Sequence, residues 1–295
     1  MRTSRRQESF SAFLFLLPDV AGLILFAFVP IVLAVYISLT QWNGYTQQLF
    51  VGLKNYTDLF QDAEFGKSLL TTLEYATVFV ATMTVLSLCC ALIINSVKGI
   101  GQEIYRTMIF TPYAISAVIA AMVWTFLYQV PKGYFNSFLM SIGLDKMLFL
   151  GSPEQALFSV IAVSLWATLG YNMIIFMAAI KDVPAELYEA AEIDGANFFE
   201  RFKTITLPML KNTSLFIIVM STIAALQVFD QIKIMTDGGP AKATNVTVYY
   251  IYKMGFTVGQ LGYASATAVL LFIAISIFTL FQFRLLNGGK TKDEA

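Results

Sequence analysis

Residues 183–208 read VPAELYEAAEIDGANFFERFKTITLP and lie between two long apolar runs. Pro184 is well placed to open a helix, because the missing N–H of a first-turn proline has no intrahelical partner to lose. Glu186 to Asp194 contain good helix formers, and Gly195 can take the left-handed conformation that closes a helix. Asn197 with Glu200 three residues on has capping-box spacing, so a second short helix should follow, with Pro208 stopping it. At helical spacing Leu187, Ala190 and Ala191 share one face, while Glu186 and Glu189 lie on another. One face can therefore dock on a helix bundle while the other meets a partner. The expectation is a helix, a sharp turn and a second helix over 181–211.

Outward from this segment the chain is strongly apolar. Of 295 residues, 57% are hydrophobic and 13% charged, against about 25% charged in a soluble domain. A bilayer core about 30 Å thick needs about 20 apolar residues in helical form. Six stretches with almost no internal charge meet that need, at 19–40, 71–96, 107–129, 157–180, 212–232 and 262–283. The fold class predicted is an all-α integral membrane protein with six transmembrane helices. Its domains are an N-terminal cytoplasmic or interfacial segment 1–18, a six-span transmembrane body 19–286 that includes the loop 181–211, and a cytoplasmic tail 287–295. The first boundary rests on Pro18 and Asp19, which should separate a short interfacial helix from a true span. The Arg-rich head and the long apolar stretch behind it read as a retained span, not a cleaved signal.

Orientation follows from the basic residues. Twelve of the nineteen Lys and Arg lie at the termini and in the segments around 97–106 and 181–211, and seven lie in the alternate loops. The excess places both termini in the cytoplasm and makes the chain a multi-pass protein of the cytoplasmic membrane. Equal numbers of acidic and basic residues, 19 each, give no bulk charge that would favour nucleic acid.

Catalytic readings have little to stand on. The chain has no histidine, and its two cysteines, Cys89 and Cys90, are neighbours in an apolar run and read as packing residues. No metal or catalytic residue is expected. No G-x-x-x-x-G-K-[ST] occurs, so any ATPase must be a separate chain. An ion- or proton-coupled secondary transporter would call for buried ionisable residues and internal repeats, and neither is apparent.

Polar residues inside spans either line a path or bond to a neighbouring helix. Here they are few: Tyr171 and Asn172 in the fourth stretch, and Gln227, Asp230 and Gln231 in the fifth. The last three are spaced i, i+3, i+4 and so should share a helix face. Amide and hydroxyl partners with an aromatic ring suit an uncharged polyol. Glu74 reads as an interfacial residue.

The segment first quoted resembles a known family. Glu189-Ala190-Ala191, Asp194-Gly195-Ala196, Phe202, Ile205 and Leu207-Pro208 match E-A-A-x-x-D-G-A-x5-F-x-x-I-x-L-P, the signature loop of permease subunits in bacterial ABC importers. Val51-Gly52-Leu53-Lys54-Asn55-Tyr56, Val183 to Tyr188 and Met235-Thr236-Asp237-Gly238-Gly239-Pro240 extend the resemblance and are similar to sugar permeases of the maltose type. The resemblance implies a type I ABC importer permease fold with a cytoplasmic coupling helix between spans four and five. It also implies an ATP-binding-cassette ATPase dimer that grips Glu189 to Ala196 and binds the ATP and Mg, this chain itself holding no cofactor. The further partners implied are a second permease subunit, of different sequence, and an extracytoplasmic sugar-binding protein. Tyr171 and Gln227 align with sugar-contacting positions of the maltose-type subunit. A non-sugar solute is the alternative cargo within the same family.

Overall fold

The computed structural model describes residues 5–287. In chain order the helices are α1 (Arg5–Leu23), α2 (Val29–Ser38), α3 (Lys54–Gln61), α4 (Ala63–Ser96), α5 (Ile100–Phe110), α6 (Ala117–Leu127), α7 (Tyr134–Ser141), α8 (Pro153–Lys181), α9 (Ala185–Ile193), α10 (Phe198–Arg201), α11 (Leu207–Met209), α12 (Lys211–Leu226), α13 (Asp230–Met235), α14 (Thr247–Tyr252) and α15 (Leu261–Asn287). Among the described residues the only strands are β1 (Thr40–Gln41) and β2 (Leu49–Phe50), a short antiparallel pair. Four helical stretches are long and apolar enough to cross a membrane: Phe13–Ser38, Ala63–Ser96, Pro153–Lys181 and Leu261–Arg284. Two bent pairs raise the number to six if each pair is one span.

The first pair corrects the expected span at 107–129, which is bent within its length, whereas the second bends at Leu210, ahead of the expected span at 212–232, whose helix α12 instead ends at Leu226. Ile100–Ala114 meets Ala117–Leu127 at 100°, and Phe198–Met209 meets Lys211–Leu226 at 65°. In the first, a 3-10 turn at Thr111–Ala114 is followed by two extended residues, Ile115 (ψ 137°) and Ser116 (ψ 134°), and no helix can continue through them. In the second, α11 ends at Leu210 two residues beyond Pro208, close to the expected stop.

Pro18 does not break the chain as expected, for α1 runs through it from Arg5 to Leu23. A proline removes one bond from a helix, and in a membrane the neighbouring backbone can absorb that loss. The irregularity falls later, in a π turn at Ile24–Phe28 just ahead of Pro30. A second π turn, Phe202–Thr206, lies just ahead of Pro208. The wider turn relieves the clash between a proline ring and the carbonyl four residues earlier. The expected tail 287–295 lies almost wholly outside the described residues.

The chain divides into two compact units, Met1–Ala63 with Ile251–Ile273 and Glu64–Tyr250 with Ala274–Ala295. In the first, the buried Asn55 amide donates to Ser38 O at 2.7 Å and to Thr40 O at 2.8 Å, pinning α3 against the start of the hairpin. Gly262 N donates to Trp42 O at 3.2 Å. A Cβ at Gly262 would lie 1.9 Å from Thr40 O, so only glycine lets α15 come this close.

In the second unit α8 is the spine. Val160, Ile161 and Val163 pack with Tyr75, Phe79 and Met83 of α4, and with Leu226, Ile232 and Val246. Nearer its C-terminal end, Met173, Phe176 and Ile180 pack with Ala91 and Ile94 of α4 and with Leu210 and Ile217. Half of the most apolar window of α8 is buried, whereas none of the Phe13–Ser38 window is.

Candidate functional site

Two regions hold the residues singled out from sequence. The first is the elbow between α8 and α12. Pro184 caps α9, as expected, and the helix ends in a Schellman motif. Gly195 N donates to Glu192 O at 3.1 Å and Ala196 N to Ala191 O at 2.9 Å, with Gly195 left-handed at φ +78°. The next helix opens on a complete capping box. Asn197 Oδ1 accepts from Phe199 N and Glu200 N, while Glu200 Oε2 accepts from Asn197 N at 2.7 Å. Two contacts tie α9 to the chain after it: the Tyr188 and Thr206 hydroxyls at 2.9 Å, and Glu192 with Arg201 at 3.6 Å.

The elbow is therefore a small rigid body closed by its own backbone. Glu189, Ala190, Asp194 and Gly195 are exposed, and Ala191 and Ala196 half-buried. Its tip is apolar and bare: Ile193 is 87% and Phe199 78% exposed. Phe202 is half-buried in the π turn, and Leu207 and Pro208 are exposed. Among the described residues no group of three or more His, Cys, Asp or Glu side chains is placed to hold a metal ion.

The second region holds the polar residues of the spans, and the structure does not gather them as expected. Tyr171 is exposed but its neighbour Asn172 is buried, with its amide donating to Thr168 O at 3.3 Å. That amide is spent on its own helix. Gln227, Asp230 and Gln231 do not share one helix face, because α12 ends at Leu226 and Phe229 (φ −141°) precedes the start of α13. Gln227 and Asp230 are exposed and Gln231 half-buried.

Sequence reasoning missed the partner of Tyr171. The ring of Tyr113 stacks on it, with centroids 4.7 Å apart and planes 15° apart. The signal was Pro112-Tyr113 inside an apolar run. The residues around Gly238-Gly239-Pro240 also take on a defined role. Lys233 Nζ donates to Asp237 Oδ1 at 2.6 Å and Tyr249 Oη donates to the same oxygen at 3.1 Å. The Asp237 carboxyl is held below the ordinary carboxylate range, chiefly by the Lys233 hydrogen bond, with burial opposing. A Cβ on Gly238 would lie 2.4 Å from the Tyr249 ring, and Thr244 Oγ1 donates to Gly239 O at 2.7 Å. The motif is a knot that locks a loop.

A cavity of about 340 Å³ in the first unit was also missed. Gln41, Trp42, Gln47, Lys54, Asp58 and Gln260 are among its lining residues. Neither Tyr171 nor Gln227 lines it, so this cavity is separate from the expected solute residues.

Comparison with known proteins gives these geometries a context. Residues 83–291 match the family described as "Binding-protein-dependent transport system inner membrane component". The "Probable ABC transporter permease protein YurN" of Bacillus subtilis is 35% identical over 96% of this chain and 98% of its own length. The trehalose/maltose transport system permease protein MalF of Thermococcus litoralis is 34% identical over 93% of this chain and 92% of its own. Among solved structures, a permease chain of a bacterial alginate ABC transporter, captured with an alginate pentasaccharide-bound periplasmic protein, superposes with a TM-score of 0.85. It is 25% identical over 97% of this chain and 96% of that one. With the signature elbow, the apolar helices and full-length relatives all in agreement, the chain belongs to the inner membrane components of binding-protein-dependent transport systems, as an ABC importer permease and not an enzyme.

Proposed function

We propose that this chain is one of two permease subunits of an importer that moves a carbohydrate across the cytoplasmic membrane. In this reading a separate ATPase dimer binds ATP and Mg and grips the elbow at 181–211. A binding protein delivers the solute from outside, and both termini of the chain lie in the cytoplasm. The permease body is 19–286, with six spans, of which the third is the bent pair α5–α6 and the fifth begins with α12 beyond the elbow. The carbohydrate class is supported by what the relatives are named for, trehalose/maltose and alginate.

The observation that carries the coupling is the elbow itself. It is fixed by a Schellman turn and a capping box, yet it presents bare Ile193 and Phe199 beside exposed Glu189 and Asp194. Apolar side chains this exposed outside a membrane mark a contact surface, and the carboxylates can pair with arginine across it. Glu189, Ala190, Ala191, Asp194, Gly195 and Ala196 form the contact, while Phe202, Leu207 and Pro208 join it to α12. Tyr171, Asn172, Gln227, Asp230 and Gln231 remain the proposed solute residues, with Asn172 acting through helix packing.

The test is uptake of trehalose, maltose and alginate oligosaccharide into vesicles holding the assembled complex. Uptake that needs internal ATP and falls at least tenfold in Glu189→Lys, with normal membrane insertion, is expected. Uptake that persists without ATP and follows an ion gradient refutes the reading.

A further inference from the structure

The Val51-Gly52-Leu53-Lys54-Asn55-Tyr56 motif takes no part in the elbow or among the solute residues, yet it builds one wall of the cavity in the first unit. Three segments meet around that hollow: the hairpin β1–β2 with its loop, the start of α3, and the residues around the start of α15. Their backbones are fastened to one another. Asn55 holds Ser38 O and Thr40 O, Val51 N donates to Leu39 O at 2.9 Å, and Gly262 N donates to Trp42 O. The loop is closed on itself, for Asn43 Oδ1 accepts from Tyr45 N at 3.0 Å and from Thr46 N at 2.9 Å. Trp42 Nε1 donates to Thr46 O at 3.1 Å. The indole therefore has no donor left and brings only apolar ring surface to the lining.

The polar side chains around it are unpartnered. Gln41, Gln47 and Gln260 make no side-chain hydrogen bond among the described residues, and Lys54 and Asp58 make neither a hydrogen bond nor an ion pair there. Lys54 and Asp58 stand four residues apart on α3, the spacing at which such a pair ordinarily closes. Here both line the hollow instead. One cation and one anion cancel, so the lining carries no net charge while it holds three amides that each donate and accept. An anionic ligand would gain Lys54 but meet Asp58, and a cationic one the reverse. An uncharged, hydroxyl-rich ring meets no such conflict: its C–H face suits the indole, and its hydroxyls suit the carboxylate, the ammonium and the amides. At about 340 Å³ the cavity falls at the lower end of small-molecule sites, which run to about 300–1,000 Å³.

We propose that this cavity is a separate binding site for a neutral mono- or disaccharide on the outer face of the membrane. Three spans separate it in chain order from the elbow, which puts it on the side opposite the ATPase. That placement rests on the importer reading above, whereas the ligand class rests on the lining. Trp42 stacks on the sugar ring, Asp58 accepts from neighbouring hydroxyls, and Gln41, Gln47, Gln260 and Lys54 donate to the sugar's oxygens. Because neither Tyr171 nor Gln227 lines the cavity, a saccharide held here is bound apart from the proposed transport residues.

The test uses the assembled importer in right-side-out membrane vesicles without its binding protein, with Cys89 and Cys90 replaced by alanine. One cysteine is introduced as Thr46→Cys, in the lining, or as Tyr45→Cys, which is 97% exposed beside it and outside the lining. The probe is a membrane-impermeant maleimide added from outside, read as label on this chain after separation of the subunits. Both positions should label. Maltose or trehalose should slow labelling at 46 at least fivefold, in a saturable way, and leave labelling at 45 unchanged. Trp42→Ala should raise the sugar concentration for half-protection at least tenfold, and the isosteric Asp58→Asn at least threefold, with the rate at 45 unaltered in both. Absence of protection by either sugar, in a complex whose wild type takes up a carbohydrate, overturns the site alone and leaves the cargo reading standing. Protection that survives both substitutions also overturns it, since the sugar then acts from elsewhere. Alginate oligosaccharide protecting as well as maltose overturns the choice of a neutral ligand, and glycerophosphoethanolamine protecting where the sugars do not overturns it in favour of a lipid headgroup. Labelling that occurs only from the inner side overturns the placement. Protection in a complex that transports no carbohydrate upholds the site and overturns the cargo reading.

Discussion

Replacing Gly195 tests whether the elbow works as a rigid body. The residue sits at φ +78°, and a Cβ built on it meets nothing within 4 Å. Any penalty is therefore purely conformational, with no steric contact to confuse the reading. For an L-residue the left-handed conformation costs about 1–2 kcal/mol, which multiplies the population of the opened turn by roughly 5–30. Asparagine tolerates this conformation best, alanine less well, and β-branched valine worst. Hydrogen exchange at the Gly195 and Ala196 amides, which donate to Glu192 O and Ala191 O, reads that opening directly. Exchange should accelerate in the order Gly195→Asn, Gly195→Ala, Gly195→Val, and ATP-driven uptake should fall in the same order while insertion stays constant. Gly195→Val with wild-type exchange and wild-type uptake would refute the argument. Unchanged exchange with lost uptake would show that bulk at the partner surface, and not stiffness of the turn, is what matters.

Gly170→Ala should lower the thermal midpoint in detergent by several degrees, since overpacking costs about 1–3 kcal/mol, while Gly66→Ala, in α4 where a Cβ meets nothing within 4 Å, should leave it unchanged or slightly raised. Asn197→Ala should remove about 1 kcal/mol from the second elbow helix, seen as faster exchange at the Phe199 and Glu200 amides that Asn197 Oδ1 now accepts from. Lys233→Met should release Asp237 to an ordinary carboxylate pKa. Because the folded value is lowered, the stabilisation is present at pH above the ordinary range near about 3.9 and is lost as pH falls through the folded value. The thermal-midpoint gap between wild type and variant should therefore close on acidification. It should be small throughout, because Asp237 is exposed.

The elbow was legible in sequence because its determinants are local. Pro184, Gly195, Asn197 and Glu200 each act within four residues of themselves, and each acts as expected. Apolar length likewise located the membrane-crossing stretches, since hydropathy is a sum over neighbours. The bends were not legible. The turn at Ile115–Ser116 is held where Gly170, more than fifty residues later, brings α8 onto the backbone of Ile109 and Phe110. The interruption after Leu226 lies among residues with good helical spacing, and only tertiary packing of Val228, Ile232 and Met235 into the core explains why the helix gives way there. The pairing of Tyr113 with Tyr171 escaped notice for the same reason, as did the role of Gly238 in making room for Tyr249. Pro18 shows the reverse error, where a strong local signal was outweighed by continuous helix on either side of it.

The 65° bend at Leu210 makes the second half of this assembly a crank. Beyond the bend α12 is a straight arm of 16 residues, about 24 Å long. Rotating its foot by about 10° would sweep its far end, where Gln227 stands, through about 4 Å. In the proposed coupling, a modest pull at the elbow would therefore carry Gln227, a proposed solute residue, by about the length of a hydrogen bond.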